Sequence, residues 1–181
     1  MQKKHTLIAL YDANPEHAHF ENPIVIARAR ALGRALGNTG TRVVARISTP
    51  SVLAVLGALA DAGVHSVALS PAATMREHEQ AYRLPLVAHS TLFTGRGALG
   101  ADMMAASSSG AMIVLGSYPE ALENILKYAQ EHAVPVGVLS DESPESIHAR
   151  TGNTRIFVSH DPETLARMMA EEIRRLNLGG K

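Results

Sequence analysis

Residues 43–69, VVARISTPSVLAVLGALADAGVHSVAL, hold one complete copy of the unit from which the chain is built. Val43-Val44-Ala45-Arg46-Ile47 is a short β-prone run. Thr49-Pro50 follows it, a capping side chain and then a proline at the first helical position, where its missing N–H costs nothing. Val52, Val55, Leu56 and Leu59 recur at helical spacing, and Gly63 closes the helix. Ser66-Val67-Ala68-Leu69 is the next strand. Strand, capped helix and strand in this order predict a right-handed crossover between parallel strands.

The same alternation extends to both sides. Thr6 to Leu10 reads as the first strand, and Asn22-Pro23 repeats the cap-plus-proline start of a helix with Val25, Ala29, Leu32 and Leu36 inward and Gly37-Asn38 at its end. Residues 71–84 are polar and predict a loop with a short helix. Leu86-Val87-Ala88-His89 reads as the fourth strand, followed by a glycine-rich turn and a helix from Ala98 to Ser107. Ala111 to Leu115, Val134 to Leu139 and Arg155 to Val158 read as strands five to seven. Between them lie a helix opened by Ser117, Pro119 and Glu120, with Leu122, Ile125, Leu126 and Ala129 inward, and a single helical turn at Ser143-Pro144. Asp161-Pro162-Glu163 begins the last helix, whose Leu165, Met168, Met169, Ile173 and Leu176 face the core, with Gly179-Gly180 at its end. Nearly continuous apolar strands suit a sheet covered on both faces. The expected fold is therefore a three-layer, doubly wound, Rossmann-like α/β domain with a mostly parallel sheet of seven strands, spanning residues 1–181 as one unit.

Composition narrows the function. Seventeen basic residues balance seventeen acidic ones, whereas nucleic-acid proteins carry a basic excess or stripe. No nucleic acid is expected as partner. The absence of cysteine removes a disulfide scaffold, an iron–sulfur cluster and a cysteine nucleophile, and it suits a reducing cytoplasm. Met1-Gln2-Lys3-Lys4 is basic, but the apolar run after it stops at Leu10, too short for a signal-peptide core. The longest apolar stretch, Val52 to Ala60, falls far below the ~20 residues of a membrane span. A soluble, cytoplasmic protein without membrane contact is expected.

In such a sheet ligands bind beyond the carboxyl ends of the strands, where the strand order reverses. Tyr11, Asp12 and Asn14 follow the first strand, and Ser48, Thr49 and Ser51 the second. Thr94, Gly95, Arg96 and Gly97 follow the fourth; Gly116, Ser117 and Tyr118 follow the fifth. Gly95-Arg96-Gly97-Ala98-Leu99-Gly100 has the G-x-G-x-x-G spacing between a strand and a helix. Glycines there let backbone N–H groups approach a phosphate, and Arg96 adds a forked charged donor. The same turn also serves simply as a tight entry into a closely packed helix. Gly116-Ser117-Tyr118-Pro119 offers hydroxyls and amides to an anion, or a plain capping box of Ser117 with Glu120. Pro50 removes an amide, and the loop after the second strand has no glycine, so that loop is expected to cap its helix and not to hold the anion. His17-Ala18-His19, with Glu16 and Glu21 beside it, lacks a third ligand at a diagnostic spacing and reads as a solvated loop; no metal and no cofactor is expected.

From Arg96 to Leu139 the chain resembles the Lonely Guy phosphoribohydrolases, the lysine decarboxylase-like group, and the wider Rossmann-like nucleotide-sensing domains. That family has an arginine-bearing turn leading into a helix, then a strand ending in a Pro-Gly-Gly-x-Gly-Thr-x-x-Glu loop and helix, then a strand with a Pro-Val step. Arg96, the segment Val114 to Ile125 and Val134-Pro135-Val136-Gly137 stand in the corresponding places. Gly116 replaces the proline, Ser117 and Tyr118 the paired glycines, Glu120 the third glycine and Ala121 the threonine. Asn124 stands at the glutamate the family uses in catalysis, with Glu123 beside it. The resemblance implies the strand order 3-2-1-4-5-6-7, with Asp12 and the Gly95-Arg96-Gly97 turn across one crevice, and pairing of two chains through helices.

Together these features favour a protein that binds a nucleotide or phosphorylated small metabolite without robust catalysis. Asp12, Thr94 to Gly97 and Gly116 to Tyr118 would hold the ligand. The alternatives are a divergent phosphoribohydrolase, with Arg96, Glu120 and Glu123 as its catalytic candidates, and an oligomeric scaffold. A homodimer is expected, because the adjacent Met103 and Met104 cannot both occupy the centre of one narrow core stripe.

Overall fold

The computed structural model describes residues 7–13, 22–116, 123–151 and 155–178. Strands and helices alternate throughout: β1 (Leu7–Asp12), α1 (Pro23–Asn38), β2 (Arg42–Arg46), α2 (Pro50–Asp61), β3 (Ser66–Ser70), α3 (Met75–Ala81), β4 (Ser90–Phe93), α4 (Gly97–Ser108), β5 (Ala111–Leu115), α5 (Glu123–Glu131), β6 (Val136–Leu139), α6 (Pro144–Thr151), β7 (Ile156–Ser159) and α7 (Pro162–Leu178). All six pairings between neighbouring strands are parallel. The two cap-plus-proline starts form as read: Asn22 accepts from the Ile24 amide and Thr49 from the Val52 amide.

Side-chain alternation along the strands builds two apolar layers. Ile8, Leu10, Val43, Ala45, Ile47 and Ile113 meet α1, α2 and α7 on one face. Ala9, Tyr11, Val44, Met112, Val114 and Val138 meet α4, α5 and α6 on the other. Val25, expected inward on α1, is instead 45% exposed, so the buried stripe of that helix begins only at Ala29.

The strand order is β4-β3-β2-β1-β5-β6-β7, which corrects the expected 3-2-1-4-5-6-7. The fourth strand does not enter beside β1. It adds outside β3, in register from Val67 opposite Ser90 to Ser70 opposite Phe93. Helix α4 then returns over β3, β2 and β1 and delivers β5 to the free side of β1. The fourth strand is also shifted along the chain. Leu86, Val87 and Ala88 pack as an irregular segment against the α1/α2 layer, and the less apolar Ser90-Thr91-Leu92-Phe93 forms the strand. An edge strand is half open to solvent, so it does not need the most apolar run available. His89 accordingly sits just before the amino end of β4, beside the His65 ring, and not at the ligand end.

Helices α1 and α2 pack so closely that Gly33 has no room for a β-carbon, which would stand 2.6 Å from the Val55 carbonyl oxygen and 2.8 Å from Ala58 Cβ. Gly57, also helical, faces open space. Gly33→Ala is expected to cost about 1–3 kcal/mol as overpacking. Gly57→Ala should be neutral or stabilise by up to about 1 kcal/mol. Urea midpoints of the two variants, compared at unchanged m-value, check both signs.

Candidate functional site

Several charged and hydrogen-bonding side chains gather at the carboxyl end of the sheet. Asp12 closes β1, half-buried, and its Oδ2 accepts a 2.6 Å hydrogen bond from the Thr49 hydroxyl. Thr49 is itself buried and caps α2, accepting from the Val52 amide at 3.3 Å. The loop after β2 is thus a capping turn, as its proline and lack of glycine suggest.

One strand further out, on the opposite face, a second cluster forms. Arg46 ends β2, and its Nε donates to Asp102 Oδ1 of α4 at 2.8 Å. The Tyr11 hydroxyl donates to the Asp102 carbonyl at 3.1 Å, fastening the same turn of α4 to β1. The Arg46 and Asp102 side chains are only 19% and 13% exposed. Burial raises the Asp102 carboxyl above its ordinary pKa, outweighing the lowering by Arg46. Burial likewise pushes the Tyr11 phenol well up, with the Asp102 charge adding to the effect.

The glycine-rich turn lies at the outer edge, after β4. Gly95 and Gly97 both adopt left-handed backbone, φ +61° and +67°, which explains the glycines. Their amides are already used: Gly95 donates to the Ala72 carbonyl and Gly97 to that of Pro71, while Thr94 donates to the Ser70 carbonyl through both its amide and its hydroxyl. This departs from the expectation that the glycine amides face a phosphate. The turn is first a brace against the loop after β3. Arg96 is exposed and its amide donates to Thr94 Oγ1 at 3.3 Å. Its side chain runs across Gly100, where any β-carbon would meet Arg96 Cβ at 2.5 Å. The Arg96 guanidinium has no hydrogen-bond or ion-pair partner among the described residues.

The strand order separates residues that the sequence reading placed together. The reversal lies between β1 and β5, so Asp12 and Gly116 flank it. Gly116 has φ +95° and donates its amide to the Leu139 carbonyl. Arg96 follows β4, with the ends of β3 and β2 between it and Asp12. At about 4.8 Å per strand the two are roughly 14 Å apart, so they do not share one small crevice. Ser117, Tyr118 and Glu120, like Asn14 and the His17/His19 pair, lie outside the described residues. Glu123 is exposed in the first turn of α5.

Beyond the reversal, α1 reaches over the ends of β6 and β7. Arg28 Nη1 binds both Asp141 carboxylate oxygens and Nη2 donates to the His160 carbonyl. Among the described residues no group of three His, Asp or Glu is placed to hold a metal, and no helix is long and apolar enough to cross a membrane.

No protein-family model and no curated protein sequence matches the chain. Solved structures do. The molybdenum cofactor binding protein of Rippkaea orientalis superposes with a TM-score of 0.73 at 16% identity, over 95% of this chain and 99% of that one. The molybdenum cofactor carrier protein of Chlamydomonas reinhardtii gives 0.70 at 14% identity, over 92% and 97%. DNA processing protein A of Helicobacter pylori gives 0.62 at 11% identity, over 93% and 82%. The shared feature is the Rossmann-like fold.

Arg46, Asp102 and Tyr11 are the part of this site that sequence motifs passed over. Two signals pointed at parts of it: Tyr11 falls after the first strand, and a lone arginine, Arg46, ends an otherwise apolar strand. Thr49 and Arg96 differ sharply in what folding asks of them. Thr49→Val should cost about 1–2 kcal/mol through the lost cap and the lost bond to Asp12. Arg96→Ala should stay within about 0.5 kcal/mol of the parent. Thermal melts of both variants read the contrast.

Proposed function

We propose that this chain binds a nucleotide or another phosphorylated small metabolite along the carboxyl ends of β1 to β4 and performs no robust catalysis on it. In this reading it is a divergent relative of the Lonely Guy group, working in the cytoplasm. The gathering of Asp12, Thr49, Arg46, Asp102 and Arg96 on one end of an otherwise apolar sheet carries the proposal. Arg46 and Asp102 are largely buried, and partly burying charge costs free energy that a ligand can return. Thr94 to Gly97 would bound the site at the outer edge, and Gly116, Ser117 and Tyr118 at the β5 side. A ligand touching both Asp12 and Arg96 must extend about 14 Å, longer than a lone phosphate.

Two of the similar structures are molybdenum-cofactor proteins, which makes that cofactor the first specific ligand to test, beside nucleoside monophosphates. The third is described as binding single-stranded DNA. The balanced charge of this chain favours a small ligand over a nucleic acid. Weak catalysis is supported by Asn124 standing where the Lonely Guy group has its glutamate, with Glu120, Glu123 and Arg96 as candidates for that chemistry.

Native mass spectrometry of the purified protein, followed by calorimetry with molybdenum cofactor and a panel of nucleoside monophosphates, tests the proposal. Saturable binding without release of free base is the expected result. Base release at ordinary enzyme rates would make the chain a phosphoribohydrolase, and absence of any binding would leave the scaffold reading.

Helix α4 supports a homodimer. It carries little polar face, yet Leu99 is 59% exposed and Met103 and Met104 are only half-buried. An apolar helix of this kind is normally covered all round. Light scattering at micromolar concentration should report twice the chain mass, and Leu99→Glu should return it to the monomer.

A further inference from the structure

Arg46 differs from the other partly buried arginines in one respect. Arg28, with its side chain 24% exposed, uses both terminal nitrogens, Nη1 on Asp141 and Nη2 on the His160 carbonyl. Arg155, 28% exposed, does the same, with Nη1 on the Ala133 carbonyl and Nη2 on Glu172. Arg46 is more deeply buried than either, yet among the described residues only its Nε is bonded. Its two terminal nitrogens are not sealed in, since among the described residues the buried side-chain polar atom left without a partner is Ser66 Oγ. They stay open to an incoming acceptor, and hydrogen bonds to charged donors are among the strong ones.

The orientation of this guanidinium is fixed from three sides. Asp102 holds Nε, the Tyr11 hydroxyl holds the backbone of Asp102, and β2 holds the Arg46 main chain between β1 and β3. What remains is the flat Nη1/Nη2 edge, whose two parallel donors match two oxygens of a phosphate or carboxylate. Its place at the end of β2 lies between Asp12 on one side and Arg96 on the other. It faces the α4 side of the sheet, opposite Ile47, so it is independent of the capping turn at Thr49.

We propose that the Nη1/Nη2 edge of Arg46 is an oxyanion-binding fork that takes the phosphate of the ligand, with Asp102 as its positioning residue. This rests on the ligand-binding reading above and assigns the anion to the centre of the site instead of to Arg96 alone. The Arg46–Asp102 pair is neutral, so an incoming phosphate meets a charged donor edge without a neighbouring free carboxylate from that pair. Asp102 acts only through Arg46, keeping the guanidinium from rotating away.

The test is calorimetry with inorganic phosphate, adenosine monophosphate, adenosine and acetate, on the parent chain and on Arg46→Lys, Arg96→Ala and the double variant Arg46→Gln/Asp102→Asn. The double variant removes both buried charges together, so neither is left as an uncompensated buried charge. Arg46→Lys keeps the charge but loses the fork. Melting in phosphate-free buffer establishes that each variant is folded. Inorganic phosphate and adenosine monophosphate should bind the parent, and both Arg46 variants should bind them about ten- to hundred-fold more weakly. Adenosine should bind parent and Arg46 variants alike. Acetate binding with the same dependence on Arg46 would make the fork a carboxylate site and overturn the phosphate assignment. Equal affinity of parent and both Arg46 variants for adenosine monophosphate would overturn the proposal while leaving the ligand-binding reading intact, the more so if Arg96→Ala alone weakened it. A parent chain that bound no phosphorylated compound would overturn both.

Discussion

Helix α4 has the longest journey in the molecule, and the arrangement of the rest depends on how it is held. It must leave the outer edge after β4 and cross β3, β2 and β1 to bring β5 to the centre of the sheet. Small side chains make the crossing possible, with Ala101, Ala105 and Ala106 fully buried against the strands. Two hydrogen bonds set its position: Tyr11 to the Asp102 carbonyl and Arg46 to the Asp102 carboxylate. A helix this uniformly apolar has no amphipathic stripe to choose its rotation, so polar contacts at one turn do that work. The return of α4 also determines where the strand order reverses, and with it the place a ligand can occupy.

In the proposed reading the same turn serves both the fold and the ligand. Asp102 is largely buried, its side chain 13% exposed, and burial raises its carboxyl pKa even though Arg46 lowers it. An apolar contact could hold α4 at comparable or lower cost, because replacing a buried ion pair by well-packed apolar groups is often neutral or stabilising. By contrast, the buried Ser70 hydroxyl bonds the His78 ring, whose other nitrogen reaches the Leu84 carbonyl; every polar atom of that trio is satisfied and sealed. Ser70 and His78 close the loop around α3. Arg46 and Asp102 leave a donor edge open.

Most of the fold was legible along the chain because its signals are local. The caps at Asn22 and Thr49, the prolines behind them and the helical spacing of Val52, Val55, Leu56 and Leu59 act within a few residues, and each appears where it was read. Leu86-Val87-Ala88 misled because apolar content marks burial and not strand pairing, and an irregular segment can be buried too. The candidate site was legible in part. Thr94 to Gly97 was recognisable by its glycines, yet their amides bond the loop after β3, a partner more than twenty residues away in sequence.

Sequence alone determined the βαβ unit, the parallel sheet, the two covered faces and the concentration of polar residues after the strands. All of these follow from periodicity and capping, which are properties of neighbouring residues. Only the tertiary structure decided that β4 lies at the edge, that β5 and not β4 joins β1, and that Arg46 meets Asp102 across 56 positions of chain. Parallel strands carry similar apolar patterns and could pair in several orders. The choice among them rests on how the long crossovers pack, and no short window of sequence records that energy.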